Sequence, residues 1–166
     1  MIWLTAAWAQ TTVAAGYQGA FVFQPGLYGS VDRAVTARGD HTLIGSGRAG
    51  GFHHRRRHTA LFVRGELGYR LDGRSVQLDV LPGLGVHHTI LAGPVYTTDD
   101  AGVRRVRDAG RPTVAVSLGT GIGVALDPSW RVRGRLDLWT RAPVNAAWLP
   151  GVAVAVGLAR RLGTPP

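Results

Sequence analysis

The stretch from Thr59 to Leu91 constrains this chain most, because two alternating arms are joined there by a single turn signal. In the first arm Leu61, Val63, Leu67, Tyr69 and Leu71 alternate with Phe62, Arg64, Glu66, Gly68 and Arg70. In the second, Val76, Leu78, Val80, Pro82, Leu84 and Val86 alternate with Gln77, Asp79, Leu81, Gly83 and Gly85. A period of two marks a strand whose faces meet different surroundings, and Asp72-Gly73 predicts a two-residue hairpin turn. Arms of about 11 residues match a tilted strand crossing a hydrocarbon core.

Six further strands follow from the same alternation: Thr12 to Gln24, Leu27 to Val35, Thr42 to Phe52, Thr113 to Leu126, Arg131 to Arg141 and Gly151 to Leu162. In Thr113 to Leu126, Val114, Val116, Leu118, Ile122 and Val124 oppose Ala115, Ser117, Gly119, Gly121, Gly123 and Ala125. The strand from Thr42 to Phe52 is the poorest, since Gly45, Gly47, Gly50 and Gly51 leave little side chain to pack. Pro25-Gly26, Thr36 to His41 and Asp127 to Trp130 read as turns, and Ala92 to Pro112 as the longest loop, without period. Apart from Pro25-Gly26, short turns fall at one end and longer or charged connections at the other, the pattern of a membrane meander with both termini on the periplasmic side.

With 166 residues the chain has room for one domain, assigned to 10–162, with 163–166 as a tail. Met1 to Ala9 reads as the remnant of a secretory signal, with small Ala7 and Ala9 before Gln10. The absence of cysteine excludes disulfides and thiolate sites, and no run of 18 apolar residues offers a transmembrane helix. Nineteen basic against ten acidic residues make anionic partners the natural ones. The basic residues alternate with apolar ones along strands, without interleaved aromatics for stacking, so no nucleic-acid partner is expected.

On strand count, length, turn pattern and inner-face polarity, Thr12 to Leu162 resembles the small eight-stranded outer-membrane barrels of Gram-negative bacteria, the OmpA/OmpX-like transmembrane domains. The resemblance implies an all-β, antiparallel up-and-down transmembrane barrel in the bacterial outer membrane, porin-like in architecture. Membrane lipid and lipopolysaccharide are then its partners.

Within that fold the inward charges form the most informative constellation: Arg48, Arg64, Glu66, Asp79, Arg133, Arg135, Asp137 and Arg141. Eight strands leave an interior just filled by side chains, so these residues are expected to interlock as a charged plug. A two-residue turn at Asp72-Gly73 sets Glu66 opposite Asp79, Arg64 opposite Leu81, Arg70 opposite Ser75 and His58 opposite His87. His53, His54, His58, His87 and His88 then gather at the outer rim as a candidate metal site, although their spacing matches no metal motif. Arg55, Arg56, Arg57, Arg104 and Arg105 are the candidates for lipopolysaccharide phosphates, and Tyr17, Tyr69, Trp130 and Trp148 for interfacial belts. No cofactor is expected and a non-enzymatic role is the main reading.

Two alternatives stay open. A lipid A-modifying enzyme needs a nucleophile beside a base, for which Thr59 or Thr89 near His58, His87 and His88 are the candidates. A soluble periplasmic barrel carrying a small apolar ligand would invert the faces, with Val114, Val116, Val152 and Val154 lining a cavity.

Overall fold

A computed structural model describes residues 11–20, 24–55, 57–99, 102–106, 110–144 and 147–162. The expected signal remnant at 1–9, the expected tail at 163–166 and Arg56 lie outside the described residues. Ten strands follow in chain order: β1 (Thr11–Ala20), β2 (Gln24–Arg38), β3 (His41–His54), β4 (His58–Asp72), β5 (Val76–Leu91), β6 (Val95–Asp99), β7 (Gly102–Val106), β8 (Arg111–Ala125), β9 (Trp130–Val144) and β10 (Ala147–Leu162). Eight close into an antiparallel barrel, with β1 to β5 neighbouring in order, then β8, β9 and β10, and β10 pairing back onto β1. Strands β6 and β7 form a separate hairpin in the connection from β5 to β8.

Alternation dictates the two surfaces. Val63, Leu67, Leu84, Val116, Leu138 and Val154 point outward and are exposed, whereas Arg48, Arg64, Asp79 and Asp137 are almost completely buried inside. The valines of β8 and β10 that a soluble carrier would turn inward face out, with Val114 at 52 % and Val154 at 48 % exposure, which overturns the inverted alternative. An apolar outer surface of this extent is far larger than soluble monomers present. Outward-facing charge is confined to the two ends of the barrel strands, at Arg33, Arg38, His41 and Arg160 near the short turns and at His53 and His88 near the opposite rim. Between them lies the uncharged band that hydrocarbon requires. The strands, up to 16 residues long, exceed the predicted 11 because they continue beyond that band on the outer side.

Several boundaries differ from the sequence reading. Pro25-Gly26 is not a turn; both residues pair with β1, as Gly19 with Pro25 and Gln18 with Gly26. Ala92 to Pro112 is not structureless, because β6 and β7 lie within it. His53 and His54 belong to β3, and Trp148 to β10, rather than to loops. The β2–β3 turn is tightened to Gly39-Asp40, where Gly39 has φ 58°, a backbone region that disfavours side chains with a Cβ. At the β8–β9 turn Asp127 accepts hydrogen bonds from the backbone N–H groups of Ser129 (2.7 Å) and Trp130 (2.8 Å).

The central hairpin holds the most consequential difference. Asp72-Gly73 does not form a two-residue turn: Asp72 pairs with Gln77, and the Gly73 N–H donates to the Val76 carbonyl at 2.8 Å. The longer turn slides the partners by four residues. Glu66 therefore faces Gly83, Arg64 faces Gly85, Arg70 faces Asp79 and His87 faces Phe62. Because four is even, every side chain keeps its face while changing its neighbour. In this cysteine-free chain, paired substitutions Tyr69→Cys and Val80→Cys should cross-link with a short thiol reagent, and Tyr69→Cys with Val76→Cys should not; the reverse result would restore the two-residue turn.

Candidate functional site: the charged lumen and the basic rim

Turning the chain's polar face inward concentrates ionic groups in a narrow lumen, where each must find a partner. They separate into two clusters. Nearer the short turns, Arg70 donates to Asp79 and Asp32, both at 2.7 Å, while Arg133 donates to Asp32 at 2.6 Å and to Asp79 at 2.5 Å. Two guanidiniums and two carboxylates thus alternate in a closed ring drawn from β2, β4, β5 and β9. Ser46 donates to Asp32 at 2.8 Å and Gln77 to Asp79 at 3.0 Å, occupying further lone pairs.

The second cluster lies farther up the lumen. Arg135 grips Glu66 with both terminal nitrogens, at 2.6 and 2.9 Å, and donates its Nε–H to Asp137 at 2.8 Å. Arg48 reaches Asp137 at 3.0 Å and donates to the Gln18 Oε1 at 2.9 Å. Arg64 is 3.6 Å from Asp137, the longest of these ion pairs. Arg48 and Arg64 are directly paired across β3 and β4, so two like charges face each other with Asp137 shared between them. Three buried guanidiniums therefore meet two carboxylates here, against two and two in the ring below.

Glycines make room for these bulky groups. A Cβ at Gly119 would lie 2.0 Å from an Arg135 terminal nitrogen, and one at Gly50 would lie 2.8 Å from the Phe62 ring. That accounts for part of the glycine density in β3: Gly50 faces an aromatic ring, while Gly45 and Gly47 face outward. Above the ions Phe62, His87 and Trp139 pack together, with ring centroids 5.6 Å apart for Phe62–His87 and 5.7 Å for His87–Trp139. The Arg64 guanidinium lies 4.6 Å from the Phe62 ring centroid, and Phe52 approaches Trp139 at 6.5 Å.

The eight inward residues named from sequence all lie on the lumen side. Arg141 differs from the rest: it is half-buried and donates to Thr89 Oγ1 at 3.2 Å. The sequence reading left Asp32 and Arg70 out of the network, although both have inward parity, and it left out the aromatic layer. The face-to-face carboxylates it expected at Glu66 and Asp79 are separated into different clusters by the four-residue slide. The five histidines do not assemble. His87 is fully buried between Phe62 and Trp139, whereas His54 and His58 stack at 6.1 Å beside the β3–β4 turn and His53 shares a 2.9 Å hydrogen bond with Thr59 Oγ1. Among the described residues no three His, Cys, Asp or Glu side chains are grouped to hold a metal ion. Burial first, then Arg141, His54, Arg57 and His53, hold the His58 imidazole below its ordinary pKa. Arg55 and Arg57 are exposed at the β3–β4 tip, and Arg104 and Arg105 are exposed on β7.

An apolar band outside, paired charge inside and a closed ladder of eight strands define a small transmembrane barrel of the outer-membrane type. No family model matches the chain, and no curated protein sequence matches it. Solved structures do. Neisserial surface protein A (NspA) superposes with a TM-score of 0.60 at 12% identity, over 93% of this chain and 96% of that one. Ail, the attachment invasion locus protein of Yersinia pestis, superposes at 0.58 and 12% identity, over 93% and 99%. The outer membrane enzyme PagL superposes at 0.50 and 13% identity, over 92% and 99%. At these identities the likeness is one of fold.

Two consequences are measurable. Arg133→Met leaves Asp32 and Asp79 short of a partner and should destabilise the barrel by about 3–5 kcal/mol in urea titrations in lipid vesicles, the usual cost of breaking a buried pair. Arg64→Met removes the surplus cation of the upper cluster and should cost far less. Equal losses would mean that the two clusters are not electrostatically distinct. His58, with its lowered pKa, binds fewer protons folded than unfolded, so its share of stability is full above about 6.5 and falls as pH drops through the folded value. The protection factors of the β3–β4 tip amides, which correct for the intrinsic slowing of exchange in acid, should therefore fall below about pH 6.5, and His58→Gln should abolish the fall.

Proposed function

We propose that the protein resides in a bacterial outer membrane as a closed, non-enzymatic barrel that presents a basic outer surface to lipopolysaccharide. The observation that carries this reading is the placement of charge: Asp32, Glu66, Asp79 and Asp137 are paired with arginines within the lumen, while Arg55, Arg57, Arg104 and Arg105 are exposed at the outer end. Arg55 and Arg57 crown the β3–β4 hairpin, and Arg104 and Arg105 stand on the β6–β7 hairpin that rises from the same end. Guanidinium matches phosphate in charge and in bidentate geometry, and the phosphates of lipid A and the inner core lie at that level of the membrane. Arg56, outside the described residues, belongs to the same basic run. Ail has been crystallised with the heparin analogue sucrose octasulfate, so a polyanion can be held by a barrel of this fold.

The lumen supports a plug in place of a pore. An ionic ring, a second ionic cluster and an aromatic layer follow one another along an interior that eight strands leave barely wide enough for side chains. Reconstituted protein should show no steady conductance in planar bilayers; an open channel of constant amplitude would overturn the plug. Replacing Arg55, Arg56, Arg57, Arg104 and Arg105 by Gln should weaken lipopolysaccharide binding by about tenfold or more without lowering the unfolding midpoint, as charge-assisted contacts at exposed tips act on binding more than on folding. Unchanged binding would sink the assignment.

An enzymatic reading draws on one contact, the hydrogen bond between His53 and Thr59 Oγ1 at the rim, which pairs a hydroxyl with a base. It differs from the pairs expected from sequence, since Thr89 receives Arg141 and His87 is buried. Incubation with lipid A should release no fatty acid. Release that Thr59→Ala abolishes would replace the non-enzymatic reading.

A further inference from the structure

The outer wall of the barrel is not uniformly convex. An open groove of about 1310 Å³ crosses β2 to β5, with Val31, Arg33, Val35, Leu67, Pro82 and Leu84 around its rim. Its floor is the outward face of Gly45, Gly47 and Gly65; a Cβ at Gly47 or Gly65 would meet nothing within 4 Å, and one at Gly45 would reach only Val35. Two irregularities of the ladder bound it. At one end the β2–β3 register shifts between Ala34 and Thr36, a bulge at Val35. At the other, the regular β4–β5 pairs stop at Glu66–Gly83 and resume at Tyr69–Val80, opposite Pro82, which has no N–H to donate. The groove spans three interstrand spacings, about 14 Å, and is apolar except at one end.

That end is Arg33. Its side chain is exposed on the outward face five residues above Arg38, as the charge on β2 that borders the apolar band on the short-turn side, and the groove leads from it toward the middle of that band at Leu84. A guanidinium at the membrane interface beside an apolar trough that descends into hydrocarbon complements one kind of molecule, an amphiphile with an anionic head and a long apolar chain. We infer that the groove is a specific site for a glycerophospholipid of the periplasmic leaflet, with its phosphate on Arg33 and one acyl chain along the glycine floor. The short turns, with the start of β1 and the end of β10, mark this edge as the periplasmic side, where phospholipid and not lipopolysaccharide supplies the head group. The inference depends on the barrel lying in a bilayer, but not on the lipopolysaccharide contacts at the opposite rim.

Native mass spectrometry of the full chain tests it, after incubation in detergent with phosphatidylglycerol and release from the micelle. One retained lipid per chain is expected. Arg33→Ala should reduce retention about tenfold, the loss of a charge-assisted contact, and Gly47→Leu, which fills the trough where space is open, should reduce it similarly. Both variants should keep the wild-type unfolding midpoint and the wild-type lipopolysaccharide binding. Retention unaffected by either substitution, retention of lipopolysaccharide but not phosphatidylglycerol, or a dimer of the chain that Gly47→Leu dissociates would each overturn the site. Because the rim arginines are untouched, failure here leaves the lipopolysaccharide reading standing, and failure of that reading leaves this one.

Discussion

In a hydrocarbon slab a backbone amide has nothing to bond to except another part of the chain, and each one left unpaired costs several kcal/mol. The rest of this structure depends on that constraint. A sheet with free edges would expose two rows of unpaired groups, so β10 must return to β1, and Thr11 to Ala20 meet Leu162 to Ala153 without a break. Closure also sets the stagger. Following paired residues once round the barrel from Gly26 of β2, through Gln18, Ala155, Arg135, Gly121, Asp79, Arg70 and Thr42, returns to β2 at Ala37. The strands are strongly tilted as a result, and residues distant in sequence come to one height.

Tilt is what assembles the lumen. Asp32, Arg70, Asp79 and Arg133 come from four strands and form one ring only because closure brings them together. Each carboxylate in the ring accepts from both guanidiniums, so the removal of one member strands two others. The upper cluster is built less evenly, with Arg48 and Arg64 facing each other and Asp137 divided between them. An interior of this kind is costly to desolvate and gains little net stability over an apolar filling. It is compatible with a lipid-facing exterior because an interior of apolar side chains would leave the faces without contrast, and strands whose two faces are alike do not fix their register.

Much of this was legible in the sequence. Eight strands, their faces, the inward placement of Arg48, Arg64, Glu66, Asp79, Arg133, Arg135 and Asp137, and the outward valines of β8 and β10 all follow from a period of two. The partners did not follow. Asp72-Gly73 carries the signal of a tight turn, yet the chain turns two residues later, at Arg74-Ser75 with Gly73 donating to Val76, because pairing of the long arms decides the register and the turn accommodates it. The histidines show the same separation. Their positions near strand ends were visible, but the slide carries His87 beneath Phe62 and away from His58.

By itself the sequence determined what is local: the alternation that sorts each side chain to lipid or lumen, and the charges that mark the edges of the apolar band. Only the tertiary structure decided which charge meets which. An ion pair across the lumen depends on the stagger accumulated over every strand between its partners, which the pairing of the long arms decides and turns such as Gly73 to Val76 accommodate. The outer groove is likewise a tertiary feature. The glycines of β3 and β4, the bulge at Val35 and the missing N–H of Pro82 are separate signals along the chain, and they become one trough only where four tilted strands lie side by side.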